Sequence, residues 1–383
     1  MTLDLSRVSR TAILVVLLLL VAVGCAGPAA SAEQPAMVDA CRPPVKGFAV
    51  TTDGDGKPLP KATTAPATGA DPHTLTGPAT ATLTDHAIHP VASTAQPKLP
   101  VDVKSCDGKQ VQVKDASRII AVDLYGTLAE IVFSLGLGDK VVGRDTSTGF
   151  PEAAHLPKVT PSAHDLNAEA ILSLDPTVVL TDKSIGPPEV IDQLRASGVP
   201  VIFFSDARTM DGMPSQIRAV AGALGVPERG EELVKRTSAE ITSALALAPT
   251  GGLGHQRMPL RMTFLYIRGT AGVYLMSGPG SGADAMIKAI GGIDTGTDIG
   301  LDKSFVPLTS EALIRAQPEV IIVMTEGLKS VKGVDGLLKL PGLGQTPAGQ
   351  HRRIIDMNDT ELLGFGPRTG RTVAALAKAV YTP

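Results

Sequence analysis

Tryptophan is absent from this chain, and aromatic residues of all kinds make up only 3% of it. A surface that recognises sugars or nucleic acids by stacking many rings does not fit that composition. Excess positive charge is lacking too: the formal net charge is −3, so no basic face for a phosphate backbone is indicated. Cysteine is scarce, at three residues, and no Cys-x-x-Cys or Cys/His spacing of a zinc site occurs. No GxSxG, HExxH, SxxK or P-loop pattern appears, and the acidic residues are scattered, so no catalytic set stands out. Long apolar runs are missing as well. The longest, Ala12–Val23, is about a dozen residues, too short to cross a ~30 Å hydrocarbon core comfortably as a helix.

That run instead has the form of an export signal, since Arg7 and Arg10 precede it and Ala22-Val23-Gly24-Cys25 closes it. Small residues before a cysteine resemble a lipobox, with Ala22 where leucine is usual. The expectation is a lipoprotein signal over 1–24, a lipid on Cys25, and export to the outer face of the cytoplasmic membrane. Cys41 and Cys106 then remain, and in an oxidising compartment they suggest one disulfide. Residues 25–100 are rich in Pro, Ala and Thr and hold 12 of the 30 prolines. Such a segment lacks the apolar surface to offset its ordering entropy, so it reads as a disordered tether, with His73, His86 and His89 solvated in it.

From Val101 the texture changes. Val101-Asp102-Val103 and Val111-Gln112-Val113 flank Asp107-Gly108, a hairpin signal. Short apolar runs at 118–122, 140–143, 178–180 and 199–204 then alternate with helical patterns at 127–137, 168–174 and 187–197. A charged, periodic helix follows Pro227, and further strands are expected at 262–268, 320–324 and 353–356. Strands alternating with helices at this spacing imply parallel sheets. The reading is an α/β protein of two similar lobes with central, mostly parallel sheets. The lobes span 101–226 and 251–383, joined by one long helix within 227–250.

An internal repeat supports two equivalent lobes. Leu166-Asn-Ala-Glu-Ala-Ile-Leu-Ser-Leu-Asp-Pro-Thr-Val-Val aligns without a gap on Leu308-Thr-Ser-Glu-Ala-Leu-Ile-Arg-Ala-Gln-Pro-Glu-Val-Ile. Each copy reads as a capped helix start, a proline stop and a buried strand. Two such lobes face each other across a cleft, where ligands prefer to bind.

The stretches Arg118-Ile-Ile-Ala-Val-Asp and Leu135-Gly-Leu-Gly-Asp-Lys-Val-Val-Gly-Arg, with both repeat copies, resemble the periplasmic binding proteins of iron-siderophore, cobalamin and heme importers. That resemblance covers Val101 to Pro383. It implies two rigid lobes on one helix, no enzymatic activity, and a carboxylate on each lobe, Glu169 and Glu311, that docks onto the importer's permease. Four further stretches are more specific: Ala163-His-Asp-Leu-Asn-Ala-Glu-Ala, Phe264-Leu-Tyr-Ile-Arg-Gly, Val334-Asp-Gly-Leu-Leu and Leu363-Gly-Phe-Gly-Pro-Arg-Thr-Gly. They resemble the heme-specific lipoproteins of actinobacterial heme importers. The resemblance implies heme b as transported ligand, held by His164 from one lobe and Tyr266 from the other, with Arg268 hydrogen-bonded to the tyrosine.

The chemistry of those residues agrees. Ferric heme takes axial ligands on opposite faces, and His and Tyr are among them. On a strand, residues i and i+2 share a face, so Arg268 lies beside Tyr266 and its cation suits a phenolate. Tyr125, at a strand end facing the cleft, is placed to stack on the porphyrin or to serve as a substitute ligand. Arg144, Arg368 and the helix starts after Gly143 and after Gly278-Pro-Gly-Ser-Gly are candidates for the propionates. Met324, Phe305 and Phe365 are read as either apolar lining or core. The partners implied are heme, the permease, heme-donating proteins and the membrane through the lipid; nucleic acid is not among them, and the chain is expected to be a monomer. The alternatives are a ferric-siderophore or cobalamin carrier of the same fold, and a surface protein that passes heme on without a permease.

Overall fold

The computed structural model describes residues 37–43, 71–92, 96–247 and 258–383. The signal segment and Cys25 lie outside the described residues. Among the described residues no helix is long and apolar enough to cross a membrane.

The first lobe is built on four parallel strands. They are β5 (Ile119–Ala121), β6 (Val141–Gly143), β7 (Val178–Thr181) and β8 (Val201–Phe203), in the order β6-β5-β7-β8. Every residue of β5 and β7 is buried. That is why these strands read as unbroken apolar runs: a parallel sheet is covered on both faces. Helices Thr127–Ser134 and Met213–Ala223 bury their apolar residues in one core with Ile119, Leu180 and Ile202, while helix Pro188–Ala196 covers the other face with Ile120 and Val179. The expected hairpin forms from β3 (Val101–Lys104) and β4 (Gln110–Val113), antiparallel, with Val101 opposite Val113.

The repeat is structural as well as sequential. Asn167 caps helix Ala168–Leu172 by accepting from Ala170 N at 2.7 Å, and Thr309 caps helix Ser310–Ala316 by accepting from Ala312 N at 3.1 Å. Each such cap stabilises by about 1 kcal/mol. Asp175 and Gln317, equivalent positions before the prolines, turn into the left-handed region, with φ of 43° and 41°. Both copies then run into a central strand, β7 in one lobe and β13 (Val320–Met324) in the other.

The second lobe departs from a simple series of βα units. Its parallel core comprises β9 (Arg261–Arg268), β13 and β14 (Ile354–Met357). Beyond β9, however, β10 (Val273–Ser277) and β12 (Phe305–Pro307) are antiparallel. The short Gly269–Ala271 turn returns the chain directly after β9, which leaves no room for the crossover that a parallel pair requires.

The tether inferred over 25–100 needs correction. Residues 71–92 and 96–100 are packed on the body. β2 (Ala79–Ala81) adds a parallel strand beside β14, with Ala79 opposite Ile355. Leu83 is buried in the second lobe's core, and Ile88 and Val91 in the first lobe's. The arm thus spans both lobes. His73 is half-buried, its Nδ1 meeting Glu319 at 2.5 Å, whereas His86 and His89 are exposed as expected, though His86 Nδ1 meets Glu361 at 2.6 Å and His89 Nε2 meets Asp85 at 2.5 Å. Buried Arg353 fixes the arm further, donating to the carbonyls of Gly77, Ala379 and Val380. Composition misleads here because a few buried aliphatics and side chains supplied by the body suffice to order a proline-rich strand. Upstream, β1 (Val38–Asp39) pairs with β3, and Cys41 is bonded to Cys106 across 65 residues of chain.

The linking helix, Pro227–Leu245, touches both lobes. Leu233, Val234 and Ile241 enter the first core, and Ala244 enters the second. Helix Thr369–Tyr381 crosses it at Gly370, where a Cβ would stand 2.7 Å from the Glu240 backbone. Only glycine permits that approach.

Candidate ligand-binding cleft

Side chains at the carboxyl ends of the two parallel sheets come together, with Tyr125 packed on the second lobe's core and Arg268 close enough to His164 to act on its charge; that edge is where open α/β sheets bind ligands. On the first lobe three of the four strands deliver an acid just past their ends. Asp123 follows β5, Asp145 follows β6 and Asp182 follows β7, and all three are buried. Asp123 accepts from the backbone of Tyr125 (2.9 Å), Thr127 (3.2 Å) and Leu128 (2.8 Å), so it both caps the Thr127 helix and fixes the Tyr125 loop. Asp145 accepts from Asp123 N at 2.9 Å and Thr148 N at 2.7 Å. Burial, with the neighbouring Asp123 charge, pushes Asp145 and Asp182 up to about 7. Burial also raises Asp123, against its three N–H donors. No sequence argument singled out these acids. The signal was present in the recurrence of an Asp after each apolar strand: Ala-Val-Asp, Gly-Arg-Asp and Leu-Thr-Asp.

His164 stands half-buried on the loop before the repeat helix. A turn shapes that loop: Asp165 N donates to Ser162 O at 2.9 Å, and Ala163 adopts φ 51°. Ser147 Oγ donates to Leu124 O at 2.6 Å, which leaves its lone pairs facing His164 Nδ1 at 3.5 Å. With Nδ1 as the N–H of the ring, Nε2 carries the free lone pair. Burial, and then the positive charge of Arg268, lower the His164 pKa from its ordinary 6.5. The imidazole is neutral near pH 7, the form that ligates a metal.

Tyr266 comes from the other lobe, near the carboxyl end of β9, where it pairs with Leu275 of β10. Its ring packs edge-on to Phe305 at 6.2 Å between centroids. The Arg268 guanidinium lies over the Tyr266 ring, 4.7 Å from its centre. This differs from the hydrogen bond to the hydroxyl that was expected. Asp359 is the reason: it takes Arg268 Nη2 at 2.7 Å, and its other oxygen accepts from Glu326 N at 2.9 Å. The hydroxyls of Tyr266 and Tyr125 have no hydrogen-bond partner among the described residues. Tyr125 packs against the second lobe's core, and burial raises its hydroxyl above its ordinary pKa.

Several expected cleft groups are engaged elsewhere. Arg368 is buried and pairs with Glu130 of the first lobe, backbone N–H at 2.6 Å and Nη2 at 3.0 Å, so it joins the lobes at the cleft floor. Arg144 turns its Nη1 onto the carbonyls of Asp145 and Thr148, bracing its own loop. No helix begins directly after Gly143, and the N–H groups of Gly280 and Gly282 are taken by Asp284, so neither helix start is open to an anion. Phe365 and Met324 are buried, whereas Phe305 is half-buried beside Tyr266. Glu169 and Glu311 are both exposed and without a partner among the described residues, one at the start of each repeat helix.

Known proteins agree with this architecture. The periplasmic binding protein model matches residues 121–360. The ABC transporter substrate-binding lipoprotein YvrC of Bacillus subtilis is 27% identical over 285 residues, 74% of this chain and 86% of the relative. The solved heme-binding protein HmuT is 40% identical, with a TM-score of 0.77, and the match covers 82% of this chain and 100% of that one. The periplasmic heme-binding protein RhuT of Roseiflexus sp. RS-1, in apo form, is 45% identical over 70% of this chain and 98% of its own, with a TM-score of 0.63. The matched span, the paired lobes and the cleft at their carboxyl edges agree: this chain belongs to the periplasmic binding protein family.

Proposed function

We propose that this protein captures heme in the cleft between its lobes and delivers it to an ABC importer. One observation carries the reading: a neutral imidazole from the first lobe and a phenol from the second face one crevice, each with its metal-binding atom free of protein partners. Two protein ligands on opposite sides leave the rest of a metal's coordination sphere to its other ligands. Among the described residues no cluster of three or more His, Cys, Asp or Glu is placed to hold one. A His/Tyr pair of this kind suits a metal that carries its own equatorial ligands, as in a porphyrin, with the protein supplying the axial pair. The Arg268 cation over Tyr266 complements the negative charge of a metal-bound phenolate, and Asp359 orients that cation. The similar proteins HmuT and RhuT are described as heme-binding, which supports the same cargo here.

Export with a lipid on Cys25, and docking of Glu169 and Glu311 onto basic permease pockets, complete the proposal. Two exposed, unpaired carboxylates at equivalent places suit electrostatic steering. The test is a visible absorption titration of the chain from Met37, a single compact unit, with hemin. A saturable, shifted Soret band that the His164→Ala/Tyr266→Ala double variant abolishes is the expected result. A spectrum equal to that of free hemin moves the assignment to a ferric siderophore or a cobalamin.

A further inference from the structure

We propose that Arg208 is the cationic anchor for a carboxylate of the cargo, gripping it beside Tyr125 where the two lobes meet. The inference rests on the heme reading, whose ligand carries two propionates.

Arg208 follows β8, on the same carboxyl edge as Asp123, Asp145 and Asp182. Its guanidinium carbon sits 3.9 Å from the centre of the Tyr125 ring. Its stem leans on the opposite lobe at Gly282, where a Cβ would be 3.3 Å from Arg208 Cβ and 3.0 Å from Phe365. The side chain is thus positioned by contacts from both lobes. Its hydrogen bonding, by contrast, is almost unused. The one bond it makes, Nη1 to Asp206 O, is at the 3.5 Å limit, and Nε is buried without a partner. Among the described residues no carboxylate lies in ion-pair range of it.

The other arginines of the cleft are engaged. Arg268 is held by Asp359 and Arg368 by Glu130, while Arg144 gives its Nη1 to two carbonyls of its own loop and, like Arg208, keeps an unpartnered Nε. Nearby carboxylates do not compete for Arg208 either. Asp123 is wrapped by three backbone N–H groups, and Asp182 accepts from Ser184 N and Ser184 Oγ. The residue is half-buried, its Nε is enclosed without an acceptor, and a carboxylate meets such a guanidinium with two parallel hydrogen bonds. Stacking on Tyr125 fixes the plane in which those donors point.

The test compares hemin with its dimethyl ester, in wild type, Arg208→Gln and Arg208→Lys, all in the chain from Met37. The expected result is a loss in hemin affinity of roughly tenfold to a hundredfold in R208Q, with the Soret position unchanged. The ester binds wild type more weakly by a similar factor, and R208Q costs it nothing further. R208K falls between, because a point charge replaces the planar fork. An R208Q variant that binds hemin as wild type does, or that loses hemin and ester equally, overturns this inference alone. Wild type that leaves the Soret band of hemin unshifted overturns the heme reading along with it.

Discussion

The two sides of the cleft present their key side chains in opposite ways. Tyr266 and Arg268 lie on β9, a strand paired on both sides, with β10 and with β13. His164, Tyr125 and Ser147 lie on loops held by single hydrogen bonds and by buried acids. The repeat sharpens the contrast. The position equivalent to His164 in the second copy is Val306, in the antiparallel strand β12. The repeated unit is therefore preceded by the His164 loop in one lobe and by a sheet strand in the other. On the proposed reading, the strand side presents the Tyr266 ligand from a paired sheet and the loop side presents His164.

Breaking the joint between the sides has the largest expected effect. Arg368→Met leaves Glu130 buried without its partner, at a cost of about 3–5 kcal/mol, read as a lowered midpoint in urea unfolding. An unchanged midpoint would show that the two lobes do not depend on this ion pair.

The asymmetry itself is tested next. Tyr266→Phe is expected to weaken hemin binding by more than the roughly hundredfold that outer-shell changes reach, and His164→Ala by less than Tyr266→Phe. The reverse order, in parallel Soret titrations, would make the loop the dominant side.

The buried acids predict a pH dependence for the loop side. Asp145 and Asp182 are raised from 3.8 to about 7 in the folded chain, so the folded state holds protons that the unfolded state releases in that window. Their contribution to stability is full below 3.8 and is lost as pH rises through about 7. Asp182→Asn, which keeps an acceptor for Ser184, should flatten the fall in Tm between about pH 4 and pH 8. A slope identical to wild type would mean that Asp182 titrates normally.

Ser147→Ala is the smallest change. It frees the His164 tautomer and should cost about tenfold or less in hemin affinity, with an altered Soret band. An unaltered band would show that Ser147 does not orient the ring.

The sequence made much of this legible. The repeat located both caps, both proline stops and both central strands, because each follows from local propensity and burial periodicity. The pairing of His164 with Tyr266 came through a family resemblance, not through spacing, since 102 residues separate them. The arm at 71–92 was misread because its order comes from partners far along the chain: Glu319 for His73, Ile355 for Ala79, Arg371 for the carbonyls of Asp85 and Ala87. Arg144 and Arg368 were misplaced for a like reason. An arginine's charge is visible in sequence, but the carbonyl or carboxylate that consumes it is not.

What the sequence alone determined is the class of the protein: two α/β lobes with strands too apolar to be anything but buried, a repeated helix–proline–strand unit, and one long amphipathic helix between them. These follow from interactions within a few residues along the chain. Only the tertiary structure decided which charges are spent and which remain free. It committed Arg368 to Glu130 and Arg268 to Asp359, and it left Arg208 open above Tyr125. Whether a charge is satisfied depends on distances between segments that only packing brings together, and electrostatic energies depend steeply on such distances and on burial.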